Sequence, residues 1–248
     1  MKRELRLFFT ALSFFTRIPC TAWAGQGAED LNHAARYFPL VGVVMGLAAA
    51  GAYLAARLAW PQELAVIAAM AATLWLTGAF HEDGLADAAD GLGGGWTQQQ
   101  ALTIMQDSRL GSFGAVALFM GLLTKYETLI HLAPALVPAA LIAGHALSRL
   151  CAVLVISTQS YVRSHGKAKP LATKLSIGEL ALAAICGTLP LALLPPYLWW
   201  ALVPVLLVWV WFGRLLQRRL GGYTGDCLGA MQQLCELAFY LGLLGLSA

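Results

Sequence analysis

The sequence predicts an all-α, polytopic integral membrane protein, and three observations carry that expectation. Of 248 residues, 59% are hydrophobic and only 12% charged, whereas a soluble domain of this length carries about 25% charge. Mean hydropathy is +0.68. The apolar residues gather into runs close to the ~20 residues that a helix needs to cross a bilayer, separated by short segments that hold most of the ionisable groups. A single membrane-embedded domain over 1–248, with about seven transmembrane helices behind an N-terminal interfacial amphipathic helix, accounts for this pattern.

Residues 3–18 mix Leu and Phe with Arg3, Glu4, Arg6, Ser13 and Arg17. Their uninterrupted apolar stretch is too short to span, so a helix lying in the interface is expected. The basic start and apolar run are like a signal peptide, but Arg17 and Pro19 interrupt them and the segment is expected to be retained. A polar linker, Thr21–Asn32, leads to a first span over 37–58. Pro61 breaks the chain before a second span at 63–80. The acidic segment follows, then a polar helix within Trp96–Ser108 that Thr97 caps. Spans are expected at 112–132 and 134–156, the first with Lys125 and Glu127 near its far end, the second with His145 and Arg149 inside it. Lys125 and Glu127 are expected to reach the outer interface on their flexible stems, without a functional role. A loop over 158–176 holds Arg163, His165, Lys167, Lys169 and Lys174. Spans at 177–194 and 197–212 flank Pro195–Pro196, a basic, Gly-rich loop covers Arg214–Gly229, and a last span covers 228–246.

Orientation follows from Lys and Arg, which concentrate on the cytoplasmic side. With the N-terminus inside, the alternating path puts thirteen of the sixteen Lys and Arg there; Arg57 falls outside, and Lys125 and Arg149 within spans. The three polar segments 81–111, 158–176 and 213–227 then share the cytoplasmic face.

The candidate chemistry begins with Thr77–Gly95, which contains Glu82, Asp83, Asp87 and Asp90. On a helix the three aspartates stand at i, i+4 and i+7, on one face. Carboxylates so placed raise each other's pKa unless a cation sits among them. Facing lipid, each would cost about 2.5–3.5 kcal/mol at the bilayer centre. The pattern suits a divalent-metal site for a phosphate-bearing substrate; a solvated acidic loop is the alternative. Gly93–Gly95 reads as a flexible turn. In Asp107-Ser108-Arg109, Asp107 suits the metal set and Arg109 is a phosphate fork, against a plain helix cap with one orienting arginine. His145 and Arg149 share a helix face inside a span, a functional placement by default or a structural pair with Glu127 or an acidic-segment residue. Asp226, in Gly221-Gly-Tyr-Thr-Gly-Asp226, is a site residue or a helix cap. Cys20, Cys151, Cys186, Cys227 and Cys235 show no metal-ligand spacing.

Four stretches in order, Phe14-Phe-Thr-Arg-Ile-Pro19, His81-Glu-Asp-Gly-Leu-Ala-Asp-Ala-Ala-Asp-Gly91, Asp107-Ser-Arg-Leu-Gly-Ser112 and Gly221-Gly-Tyr-Thr-Gly-Asp226, resemble the cobalamin synthase (adenosylcobinamide-GDP ribazoletransferase) family. The resemblance covers nearly the whole chain. It implies a multipass enzyme of the cell inner membrane, acting late in adenosylcobalamin synthesis with Mg²⁺. Such an enzyme joins adenosylcobinamide-GDP to α-ribazole, or to its 5′-phosphate, and releases GMP. With the one-face spacing, it makes Glu82, Asp83, Asp87, Asp90 and Asp107 the expected metal set. Asp83, Asp87, Asp90 and Arg109 are then catalytic, with Asp90 a ligand or the base. Arg109 clamps the diphosphate, and Ser108, Arg149, Arg163 and Asp226 bind substrate. Expected partners are these substrates and the lipid bilayer, with no nucleic acid; self-association or docking with other late cobalamin-synthesis enzymes stays open. A CDP-alcohol phosphotransferase fits less well, since its signature fails where Asp83-Gly84 continues with Leu-Ala-Asp. A cation channel or transporter would want carboxylates on several spans, and only Glu127 and Glu236 are available.

Overall fold

A computed structural model describes residues 2–20, 22–25, 27–163 and 175–247. Among them every named element is helical: α1 (Lys2–Phe15), α2 (Ala28–Ala34), α3 (Phe38–Arg57), α4 (Gln62–Thr77), α5 (Phe80–Gly94), α6 (Gln98–Ile104), α7 (Ser112–His131), α8 (Val137–Thr158), α9 (Ile177–Thr188), α10 (Leu202–Leu220) and α11 (Gly225–Ser247). Among the described residues, five helical stretches are long and apolar enough to cross a membrane: Glu29–Arg57, α7, α8, Pro196–Leu220 and α11. The chain is a polytopic membrane protein.

α8 and α11 form the interior, buried along most of their length, while α7 and α10 present Phe119, Met120, Leu206, Leu207 and Trp211 outward. α3 lies against α8 backbone to backbone: a Cβ on Gly46 would fall 2.5 Å from the Cα of Ile142. Small residues permit this approach, which is how helices associate where no hydrophobic difference from lipid drives them together.

Several expectations change here. The second span ends early, because α4 stops at Thr77 and the chain turns by 84° into α5. Gly78 (φ 64°) and Ala79 (φ 57°) make that turn in the left-handed region, and we read α5 as lying across the end of the bundle rather than along it. Gly93 and Gly94 are not a flexible turn; they complete α5. The fifth expected span, 177–194, is a 12-residue α-helix followed by a 3₁₀ segment, Leu189–Leu193, shorter than a span requires. The expected loop from Arg214 is helical through Leu220, where Gly221 (φ 72°) ends α10, so Arg214, Arg218 and Arg219 ride on its last turns. Part of the linker 21–32 is helical, as α2. The Thr97 cap is present as a full capping box with Gln100. His165, Lys167, Lys169 and Lys174 lie outside the described residues.

Candidate functional site

α5 meets α11 at two glycines. A Cβ on Gly84 would lie 3.0 Å from the Asp226 carbonyl oxygen and 3.2 Å from the Gly229 Cα. Any side chain at Gly84 would hold the helices apart; with none, Asp226 at the start of α11 comes beside the aspartate face of α5. The segment after α8 closes the site. Val162 N–H donates to the Tyr223 carbonyl (3.1 Å) and Tyr223 N–H to that of Ser160 (2.9 Å). This places Arg163 Nη2 2.8 Å from Asp226 Oδ2. Burial, and then the charges of Asp83 and Asp226, push the Asp87 carboxyl up to about 7, with Arg163 opposing. Three carboxylates thus share one guanidinium, a field that favours a cation. Mg²⁺ takes one or two carboxylates and completes its shell with water and substrate phosphate oxygens. Asp83 and Asp87 suit that role, although among the described residues no group of three or more His, Cys, Asp or Glu is arranged to hold a metal by itself.

The other expected site residues are placed differently. Asp90 is buried, and its two oxygens accept the backbone N–H groups of Gly111 and Gly114, each at 2.8 Å. It joins α5 to the N-terminus of α7, where a negative charge is favoured. Glu82 stands on another face of α5, buried, with Oε1 accepting from Gln233 Nε2 at 2.9 Å and Oε2 without a partner among the described residues. Asp107 and Arg109 pair with each other (2.6 Å) on the surface, and that contact holds Asp107 down at about 2. Ser108 is exposed beside them. Arg149 is buried in α8, where its Nη1 donates to the His145 carbonyl at 2.9 Å.

Lys125 does not reach the outer interface expected of it but is buried, 3.0 Å from Glu236 Oε1. Glu236 also meets His145 Nδ1 (3.2 Å), the Tyr240 hydroxyl (3.1 Å) and Gln232. Gln232 and Gln233 carry this buried network on to Ser148 and Glu82. The signal was available: a charge well inside an apolar run needs a partner, and Lys125 and Glu236 are of opposite sign.

The polar segments therefore meet at one end of the bundle. Arg219 donates to the Gly95 carbonyl, and Gln98 Nε2 to that of Leu220 at 2.7 Å, tying the end of α10 to the turn after α5.

Comparison with known proteins supplies the rest. The family model described as cobalamin-5-phosphate synthase matches residues 7–244. A protein of Shewanella woodyi is 49% identical over 254 residues, covering 100% of this chain and 98% of its own. Relatives from Ralstonia pickettii (46% identical; 98% of this chain, 97% of its own) and Ralstonia nicotianae (49%; 96% and 94%) are similar throughout. All three are named adenosylcobinamide-GDP ribazoletransferase. No solved structure matches the chain.

Proposed function

The chain belongs to the cobalamin-5-phosphate synthase family, and from that premise we propose how its residues transfer the adenosylcobinamide phosphoryl group from adenosylcobinamide-GDP to ribazole, the activity for which its relatives are named. A hydroxyl of α-ribazole, or of its 5′-phosphate, attacks the phosphorus bonded to cobinamide. One P–O bond forms, the P–O bond to GMP breaks, and the phosphodiester stays with the corrinoid. Such transfers depend mainly on positioning and charge neutralisation.

The observation that carries the assignment is the α5–α11 crossing, which sets Asp83, Asp87 and Asp226 beside Arg163. Asp83 and Asp87 would hold Mg²⁺, which when bound offsets charge on the diphosphate. Arg163 forks onto a phosphate oxygen. Asp226 Oδ2 faces Arg163 and the Thr224 hydroxyl, leaving Oδ1 to take the proton of the attacking hydroxyl. Arg109, on the surface and paired with Asp107, is an outer contact for the nucleotide. Inner-membrane placement with this end of the bundle in the cytoplasm, as Lys and Arg counting suggests, would give both soluble substrates access.

The test is turnover by the purified, membrane-reconstituted protein supplied with adenosylcobinamide-GDP and α-ribazole. Corrinoid product should form only with a divalent cation, and Asp83→Asn and Asp87→Asn should each lose about 10²-fold or more in kcat with insertion intact. Turnover in excess chelator would refute the cation; near-normal activity of both variants would remove the site.

A further inference from the structure

The stretch Phe14–Pro19 has no part in the chemistry above, yet it docks on the corner from which the acidic helix departs. Phe14 and Phe15 each meet the Phe80 ring edge-on at 5.6 Å, and Phe15 lies flat on His81, 5.3 Å away at 18°. The Arg17 amide donates to the Leu76 carbonyl at 2.8 Å. Its guanidinium covers Gly78: a Cβ there would fall 2.6 Å from Arg17 Nε. The corner is strained, because Ala79 holds a left-handed conformation that L side chains avoid, and such strain persists only when the surroundings enforce it. The aromatic side of this contact is not fully packed. Between Phe14, Phe15, Phe80, His81 and Arg149 lies a small cavity of about 30 Å³, closed on its other side by the first turns of α11. Arg17 adds a cation at the carbonyl end of α4, where positive charge is favoured.

We propose that Phe14–Arg17 is a latch on the Gly78–Ala79 corner, and that Arg17 is a positioning residue that aims Asp83 and Asp87 without touching substrate. This rests on the functional reading above. It can be tested on the full chain in reconstituted membranes with Arg17→Ala, Gly78→Ala and the double variant. Each single change should lower kcat by about 10-fold or more, as misplacement of a reacting group does, while KM for both substrates stays near the wild-type value. Removing the guanidinium opens the space a methyl at 78 needs but leaves the strain of its left-handed φ, so the double variant should recover part of the Gly78→Ala loss and retain more activity than the two singles multiplied together. Amide exchange should quicken over 79–84 in Arg17→Ala and stay unchanged in α10. Wild-type kcat and exchange in Arg17→Ala, strict multiplicativity, or a loss that appears as raised KM would each overturn the latch. An unmodified chain inactive on adenosylcobinamide-GDP would refute the functional reading instead, and the exchange measurement would still judge the latch.

Discussion

At the scale of single residues, the separation of Asp83 and Asp87 from Asp90 matters most. All three share a helix face, but both oxygens of Asp90 are engaged by the N–H groups of Gly111 and Gly114. Asp90→Asn should therefore act on stability, at about 1–2 kcal/mol for a lost charged cap, seen as a lower unfolding midpoint with a measurable part of kcat retained. If it proved as inactive as Asp83→Asn at unchanged stability, Asp90 would return to the catalytic set. The aspartate face was legible because helical period alone defines it. Glu82 stands apart from that face by the same period: one residue from Asp83 is a rotation of about 100° about the helix, which turns it to Gln233. That Lys125 needs a buried partner was legible, but that the partner is Glu236 was not, since α7 and α11 meet only through tertiary packing.

At the scale of elements, two devices aim the acidic helix: the left-handed corner after α4 and the glycine contact with α11. Gly78 was readable as a helix end, since glycine after an apolar run is a stop signal. Ala79 was not, because alanine favours helix and only the surrounding contacts impose its φ of 57°. Composition found the length of the apolar run over 63–80 but not its bend. For the second device, Gly84→Ala inserts a methyl 3.0 Å from the Asp226 carbonyl oxygen. The helices must part by a few tenths of an ångström, so activity should fall several-fold, short of the loss that a full ångström of misplacement brings, while secondary structure by circular dichroism is unchanged. Full activity in Gly84→Ala would mean that the crossing does not need to be this close.

At the scale of the whole molecule, the path of the chain requires the turn after α5 and the turn after α7 to lie at opposite ends of a spanning helix, Ser112–His131. Reporter fusions after Gly95 and after Ala133 should therefore report opposite sides of the membrane, and agreement between them would overturn the topology. The class of fold was legible because apolar runs and the scarcity of charge reflect bilayer thickness directly. The shorter α9 and the bent pair were harder to see, because an apolar sequence buried against other helices and one facing lipid look alike.

The α5–α11 crossing has a consequence for how the protein is made. Synthesis delivers Asp83 and Asp87 to the membrane well before Asp226, which arrives with the last helix, Gly225–Ser247. Until then the acidic helix lacks the Gly229 surface, and Arg163, already made, lacks both the Tyr223 backbone that ties down its segment and the carboxylate it pairs with. Assembly of the site is thus a late event in biogenesis, and a chain stalled before α11 would be inserted yet inert.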